Sequence, residues 1–117
     1  MGQRENIAVG SLSRASRFPV RGTEALSGNR TVTAEEIENN QALIFDPSTT
    51  SRQVDLPPAA QCAGAWVFIG NLGTTTGTLV VRHAGSAIAT IGATAANDVS
   101  GGLFVCNGTT WFGILGA

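Results

Sequence analysis

The sequence predicts an all-β domain, an antiparallel sandwich or barrel of jelly-roll type, preceded by an extended N-terminal arm. Three observations predict it. From residue 41 onward the chain breaks into seven short apolar or alternating runs: QALIFD, SRQVDLP, AWVFIGN, GTLVVRH, SAIATIG, GLFVCNG and TWFGILG. Their starts, near 41, 51, 65, 78, 86, 102 and 110, are mostly 8 to 14 residues apart, a rhythm that leaves no room for crossover helices and implies antiparallel or Greek-key pairing. The dividers between them are turn formers: Asp46-Pro47 and Pro57-Pro58 remove ladder donors, while Asn71, Gly73, Gly85, Gly92, Gly101, Gly102 and Asn107-Gly108 supply positive φ.

Taken in chain order, residues 1–29 show no sustained period of 3.6 or 2 and mix Gly, Ser and Arg with isolated apolar residues, which reads as an arm. Ile7, Val9, Leu12, Phe18, Val20 and Leu26 are too many for a solvent tail, so the arm is expected to order on a partner. Residues 30–117 then form the domain. Thr33 with Glu36 three residues on has the spacing of a capping box, which predicts one or two helical turns ended by Asn39 and Asn40. Asn107-Gly108, lying between GLFVC and TTWFGIL, is the sharpest hairpin signal, because Asn-Gly suits turns whose twist matches that of paired strands. The runs WVFI, LVV and LFVC are apolar at successive positions, so both faces of their sheets are expected to be covered.

At 117 residues the chain is one domain's worth. Charged residues make up only 13%, about half the usual share, which leaves a surface of Thr, Ser, Asn, Gly and Ala suited to close protein contact. The charge is segregated. Arg4, Arg14, Arg17, Arg21 and Arg30 all precede residue 31, giving the first 30 residues a net +3 against −4 for the rest. A basic arm pairs with carboxylates as readily as with phosphates. With no lysine or tyrosine, and only Phe18 interleaved among the arginines, protein is the expected partner and nucleic acid is not. No run approaches the ~18 apolar residues that cross a bilayer, so no membrane partner is expected. Cys62 and Cys106 lack Cys-x-x-Cys spacing and are read as buried reduced thiols, with a bridge between them as the alternative.

Candidate chemistry is sparse. His83 is the one histidine and has no nucleophile or orienting group at a useful spacing, so it is read as a surface or interface residue and no catalytic group is expected. Glu35, Glu36 and Glu38 form an acidic cluster without the alternating oxygen ligands of a calcium loop, and no metal or cofactor is expected. Trp66 and Trp111 each lie in an apolar run and are read first as packing residues, with a sugar-binding shelf as the rival.

From Arg30 to Ala117 the chain resembles small structural domains of tailed bacteriophages. The resemblance is carried by Thr31-Val32-Thr33, by Ala42 to Phe45, by Val54-Asp55-Leu56-Pro57-Pro58-Ala59-Ala60, and by Gly64 with Trp66 to Ile69. It continues through Gly77 to Val81 with Gly85 and Ile88, and closes on Asn107-Gly108-Thr109-Thr110-Trp111. The same grammar occurs in head decoration (cement) proteins and in trimeric fibre or spike domains. Taken as a complete chain without heptads or repeats, the sequence is more similar to the former. That resemblance implies a homotrimeric virion protein on the outer surface of the capsid, with the major capsid protein as partner and no enzymatic activity. It also implies that Arg4, Arg14, Arg17, Phe18 and Arg21 of the arm bind the capsid, while Trp66, Phe68, Phe104 and Trp111 pack the core and trimer.

Overall fold

The structure is a computed structural model that describes residues 21–73, 76–93 and 100–115. Its elements are β1 (Glu24–Ala25), β2 (Arg30–Thr31), α1 (Ala34–Asn39), β3 (Ala42–Asp46), β4 (Arg52–Asp55), β5 (Trp66–Asn71), β6 (Leu79–His83), β7 (Ser86–Ile91), β8 (Ser100–Cys106) and β9 (Trp111–Leu115), with a 3-10 turn at Ala59–Gln61. Each of the seven expected runs forms a strand, and two-residue strands precede them. The capping box closes as its spacing predicts: the Thr33 hydroxyl accepts from Glu36 N at 3.1 Å, and the Glu36 carboxylate accepts from Thr33 N at 2.9 Å.

The strands form two packed sheets, a five-stranded one ordered β1-β3-β5-β8-β9 and a four-stranded one ordered β2-β4-β6-β7. The expected antiparallel or Greek-key arrangement is corrected here. β1 with β3, β3 with β5, β2 with β4 and β4 with β6 all pair in parallel, and only β5 with β8, β6 with β7 and β8 with β9 are antiparallel. The physical reason lies in the connections. From β1 to β6 the chain switches sheet at every step, so sheet neighbours are alternate strands in sequence. The strand of the opposite sheet serves as the crossover that parallel pairing needs, where a helix is usual. Short spacing between consecutive strands therefore excludes crossover helices without excluding parallel pairing. After this coil, two hairpins finish the fold.

The inner faces build one core, in which Leu43, Phe45, Val67, Ile69 and Phe104 of the larger sheet meet Val54, Leu79, Val81 and Ile91 of the smaller one. Leu26, Val32 and Ile37 extend it to the β1/β2 edge. Trp111 is buried and its Nε1 donates to Pro57 O at 2.9 Å, which satisfies the one polar group the ring brings inside. Asn71, fully buried, ties the sheets together: Nδ2 donates to Gly77 O and Ile91 O, and Oδ1 accepts from Gly73 N at 2.7 Å. In β9, Gly113 makes room for Phe104 and Ile88, both of which a side chain there would strike.

The hairpins separate two turn chemistries. β6–β7 turns through Ala84 and Gly85 alone, both with positive φ, the two-residue geometry whose twist suits paired strands. At β8–β9 the loop instead runs over residues 107–110. Gly108 takes positive φ there, and the Asn107 side chain accepts from the amides of Thr109 and Thr110, both at 2.9 Å.

Candidate functional site

Strand alternation sends Val67, Ile69, Phe104 and Trp111 into the core, so their neighbours Trp66 and Phe68 of β5, Leu103 and Val105 of β8, and Phe112 and Ile114 of β9 face outward. Register aligns these six in two rows. Trp66, Val105 and Phe112 form one, and Phe68, Leu103 and Ile114 the other. Gly101 lets the Phe68 ring lie against the sheet, because a side chain at that position would strike it. Neither row holds a charged or polar residue. Trp66 is 36% exposed, Phe112 49% and Ile114 61%. Those three leave roughly 300 Å² of apolar surface in water, worth about 7 kcal/mol if withdrawn from it, before the costs of association are subtracted. A standard interface takes about 800 Å² from each partner. The rows are thus an apolar patch that is smaller than a standard interface.

The opposite edge of the sandwich has a different chemistry. Glu24 shares the inward side of β1 with Phe45, and Arg30 that of β2 with Val54, so the edge is plugged by ionic groups. Arg30 Nε donates to Glu24 at 2.9 Å and its Nη2 to Glu36, while Arg21 donates to Glu24 at 2.9 Å and to Glu36 at 2.5 Å. Both guanidinium carbons stand 5.8 Å from the centroid of the Phe45 ring. Hydrogen bonds from Arg30, then from the Thr33 amide and Arg21, outweigh burial and hold the Glu36 carboxyl at about 2, well below its ordinary value. The Arg30 guanidinium is correspondingly shifted upward by Glu36 and Glu24.

The sequence-predicted residues distribute as follows. Arg4, Arg14, Arg17 and Phe18 lie outside the described residues. Arg21 is held by the ionic plug, and residues 21–29 run along the body, with β1 paired to β3 and Leu26 buried. Phe104 and Trp111 are inside the core; Trp66 and Phe68 face outward from it. Cys62 and Cys106 are buried free thiols, with Cys106 Sγ donating to Ala59 O at 3.3 Å. Burial, and then the neighbouring Cys106, push the Cys62 thiol up. His83 is half-buried at the end of β6. Among the described residues no group of His, Cys, Asp and Glu is placed to hold a metal ion, and no helix is long and apolar enough to cross a membrane.

Phe112 and Ile114 were not singled out by sequence reasoning. The signal was present, since Asn107-Gly108 fixes a hairpin and burial of Trp111 then sends 112 and 114 to the other face, but TWFGIL read as a uniform apolar run hides that alternation. No family model, no curated protein and no solved structure matches the chain.

Proposed function

We propose that the chain is a non-enzymatic structural component of a tailed-bacteriophage virion, a decoration protein that binds the outer surface of the head as a homotrimer and stabilises it by bridging capsomers. The observation that carries this reading is the pair of uncharged rows on the larger sheet, Trp66-Val105-Phe112 and Phe68-Leu103-Ile114. Large apolar side chains held outward cost solubility, and a second copy presenting the same uncharged surface is the occupant they suit. In this reading sister copies cover the rows, and Arg4, Arg14, Arg17 and Phe18 engage acidic and apolar ground on the major capsid protein. Work against internal pressure is then done by buried area, with no catalytic group and no cofactor.

The test is stoichiometry. Quantitative mass spectrometry of purified virions is expected to find the chain in hundreds of copies, in a fixed ratio to the major capsid protein. A handful of copies, or none, overturns the reading. Because residues 21–29 belong to the body, the informative truncation removes residues 1–20. It is expected to leave a folded oligomer that no longer binds capsids. A receptor-facing fibre or spike domain is the second reading, favoured by the exposed ring of Trp66; low copy number at the tail would select it.

A further inference from the structure

Cys62 and Cys106 are the two cysteines of the chain, and both enter the core as free thiols. One carbonyl gathers them. Ala59 O accepts from the Cys62 amide at 3.0 Å and from the Cys106 thiol at 3.3 Å, so Cys62 N and Cys106 Sγ stand no further apart than those two bonds laid end to end. The backbones are tied through Ala65 as well. Its amide donates to Cys62 O at 2.9 Å, closing a tight turn, and its carbonyl accepts from Cys106 N at 2.9 Å. We infer that Cys62 and Cys106 are a redox-active pair, which a small-molecule disulfide such as oxidised glutathione converts to an intrachain bridge between the β4–β5 connection and the end of β8. The inference goes beyond the proposed assembly and does not depend on it. Within that assembly, the bridge closes once particles leave a reducing cytoplasm.

The order of reaction follows from access. Cys62 lines a groove of about 420 Å³ between α1 and the segment leading into β5, and Cys106 does not, so Cys62 meets the reagent first. Its thiolate attacks one sulfur of the reagent, the reagent S–S bond breaks, one thiol leaves, and a mixed disulfide stays on Cys62. Cys106 then gives up its proton, attacks Cys62 Sγ and expels the second thiol. Two protein thiols thus lose two electrons and two protons, and the reagent disulfide takes them up as two thiols. The Gly108 amide donates to Cys106 Sγ at 3.4 Å, which favours the attacking thiolate. Burial, and then Cys106, push the Cys62 thiol up, so closure is slow at neutral pH and quickens in alkali.

The test uses the full chain, freed of reductant and incubated without denaturant in oxidised glutathione at about pH 8. It is expected to lose both free thiols and to end at a mass lower by two hydrogens, with a peptide joining Cys62 to Cys106 after proteolysis. Because the bridge ties off residues 62–106, the melting temperature should rise by roughly 5–15 °C and fall back on adding dithiothreitol. Cys106→Ala lacks the resolving thiol and should stop at the glutathione adduct on Cys62. Cys62→Ala should take up about tenfold less glutathione than Cys106→Ala, since its remaining thiol does not line the groove. Should either variant fail to fold, the wild-type linkage and melting shift decide. Two thiols that still titrate after prolonged incubation, a wild-type adduct that never resolves, linkage between chains instead of within one, or a bridged form that melts below the reduced one overturns the inference.

Discussion

The two sheets share one core and present opposite outer faces. On the smaller sheet the outward positions of β4, β6 and β7 carry Gln53, Asp55, Val80, Arg82, Ala87 and Thr90, with Arg82 Nε bonded to Asp55 at 2.8 Å across the strands. On the larger sheet the corresponding positions of β5, β8 and β9 carry Trp66, Phe68, Leu103, Val105, Phe112 and Ile114. Folding of the single chain needs neither pattern, since the inner residues supply the core in both cases. The smaller sheet meets the expectation for a wet face, and the larger one departs from it. In the proposed assembly, that departing face is the one that sister copies cover.

The largest effect that sharpens this contrast comes from the inward side. Phe104→Ala removes a fully buried ring and is expected to cost about 3–5 kcal/mol in denaturant melts. Its outward neighbour Val105→Ala should cost far less in a monomer, and an equal cost would mean that the outer face belongs to the core. Next comes a matched pair of charges. Ile114→Glu should weaken self-association at least 100-fold, about 3 kcal/mol, whereas Thr90→Glu on the smaller sheet leaves it unchanged. Equal behaviour of the two in sedimentation would erase the contrast.

Smaller effects come from the ionic groups. The Glu36 carboxyl is lowered from its ordinary value to about 2, so its contribution is complete above the ordinary value and is lost as pH falls through the folded one. Wild-type melting temperature should therefore drop between pH 4.5 and 2 more steeply than that of Glu36→Gln, which starts about 1–2 kcal/mol less stable at pH 7 because Arg21 and Arg30 lose an ionised partner. Parallel pH profiles would remove the plug from the account. The half-buried Asp55–Arg82 pair is worth the least, and Asp55→Asn should cost under about 1 kcal/mol.

Much of the fold was legible because local chemistry fixes it. Thr33 and Glu36 announce their helix through a reciprocal bond spanning three residues, and the seven runs carry their own turn signals. Direction of pairing was not legible, because it depends on which sheet each strand joins. No residue of β3 or β4 encodes that choice; it emerges when Leu43 and Val54 enter one core from opposite layers. The ionic plug was hidden for a related reason. Glu24, Arg30 and Glu36 read as arm, boundary and helix start, and only the parallel pairing of β1 with β3 and of β2 with β4 gathers them, with Arg30 over Phe45. The outer rows were half legible: Trp66 and Phe68 drew notice by size, but a side can be assigned to Phe112 and Ile114 only once the hairpin register is known.

The most direct measurement is the solution mass of the full chain by sedimentation equilibrium at micromolar concentration, beside Ile114→Glu. Burial of the uncharged rows between copies predicts three times the 12.0 kDa chain mass for the wild type and a single chain mass for the variant. A wild-type chain that stays monomeric and stable on dilution, with those rows in water, contradicts the account.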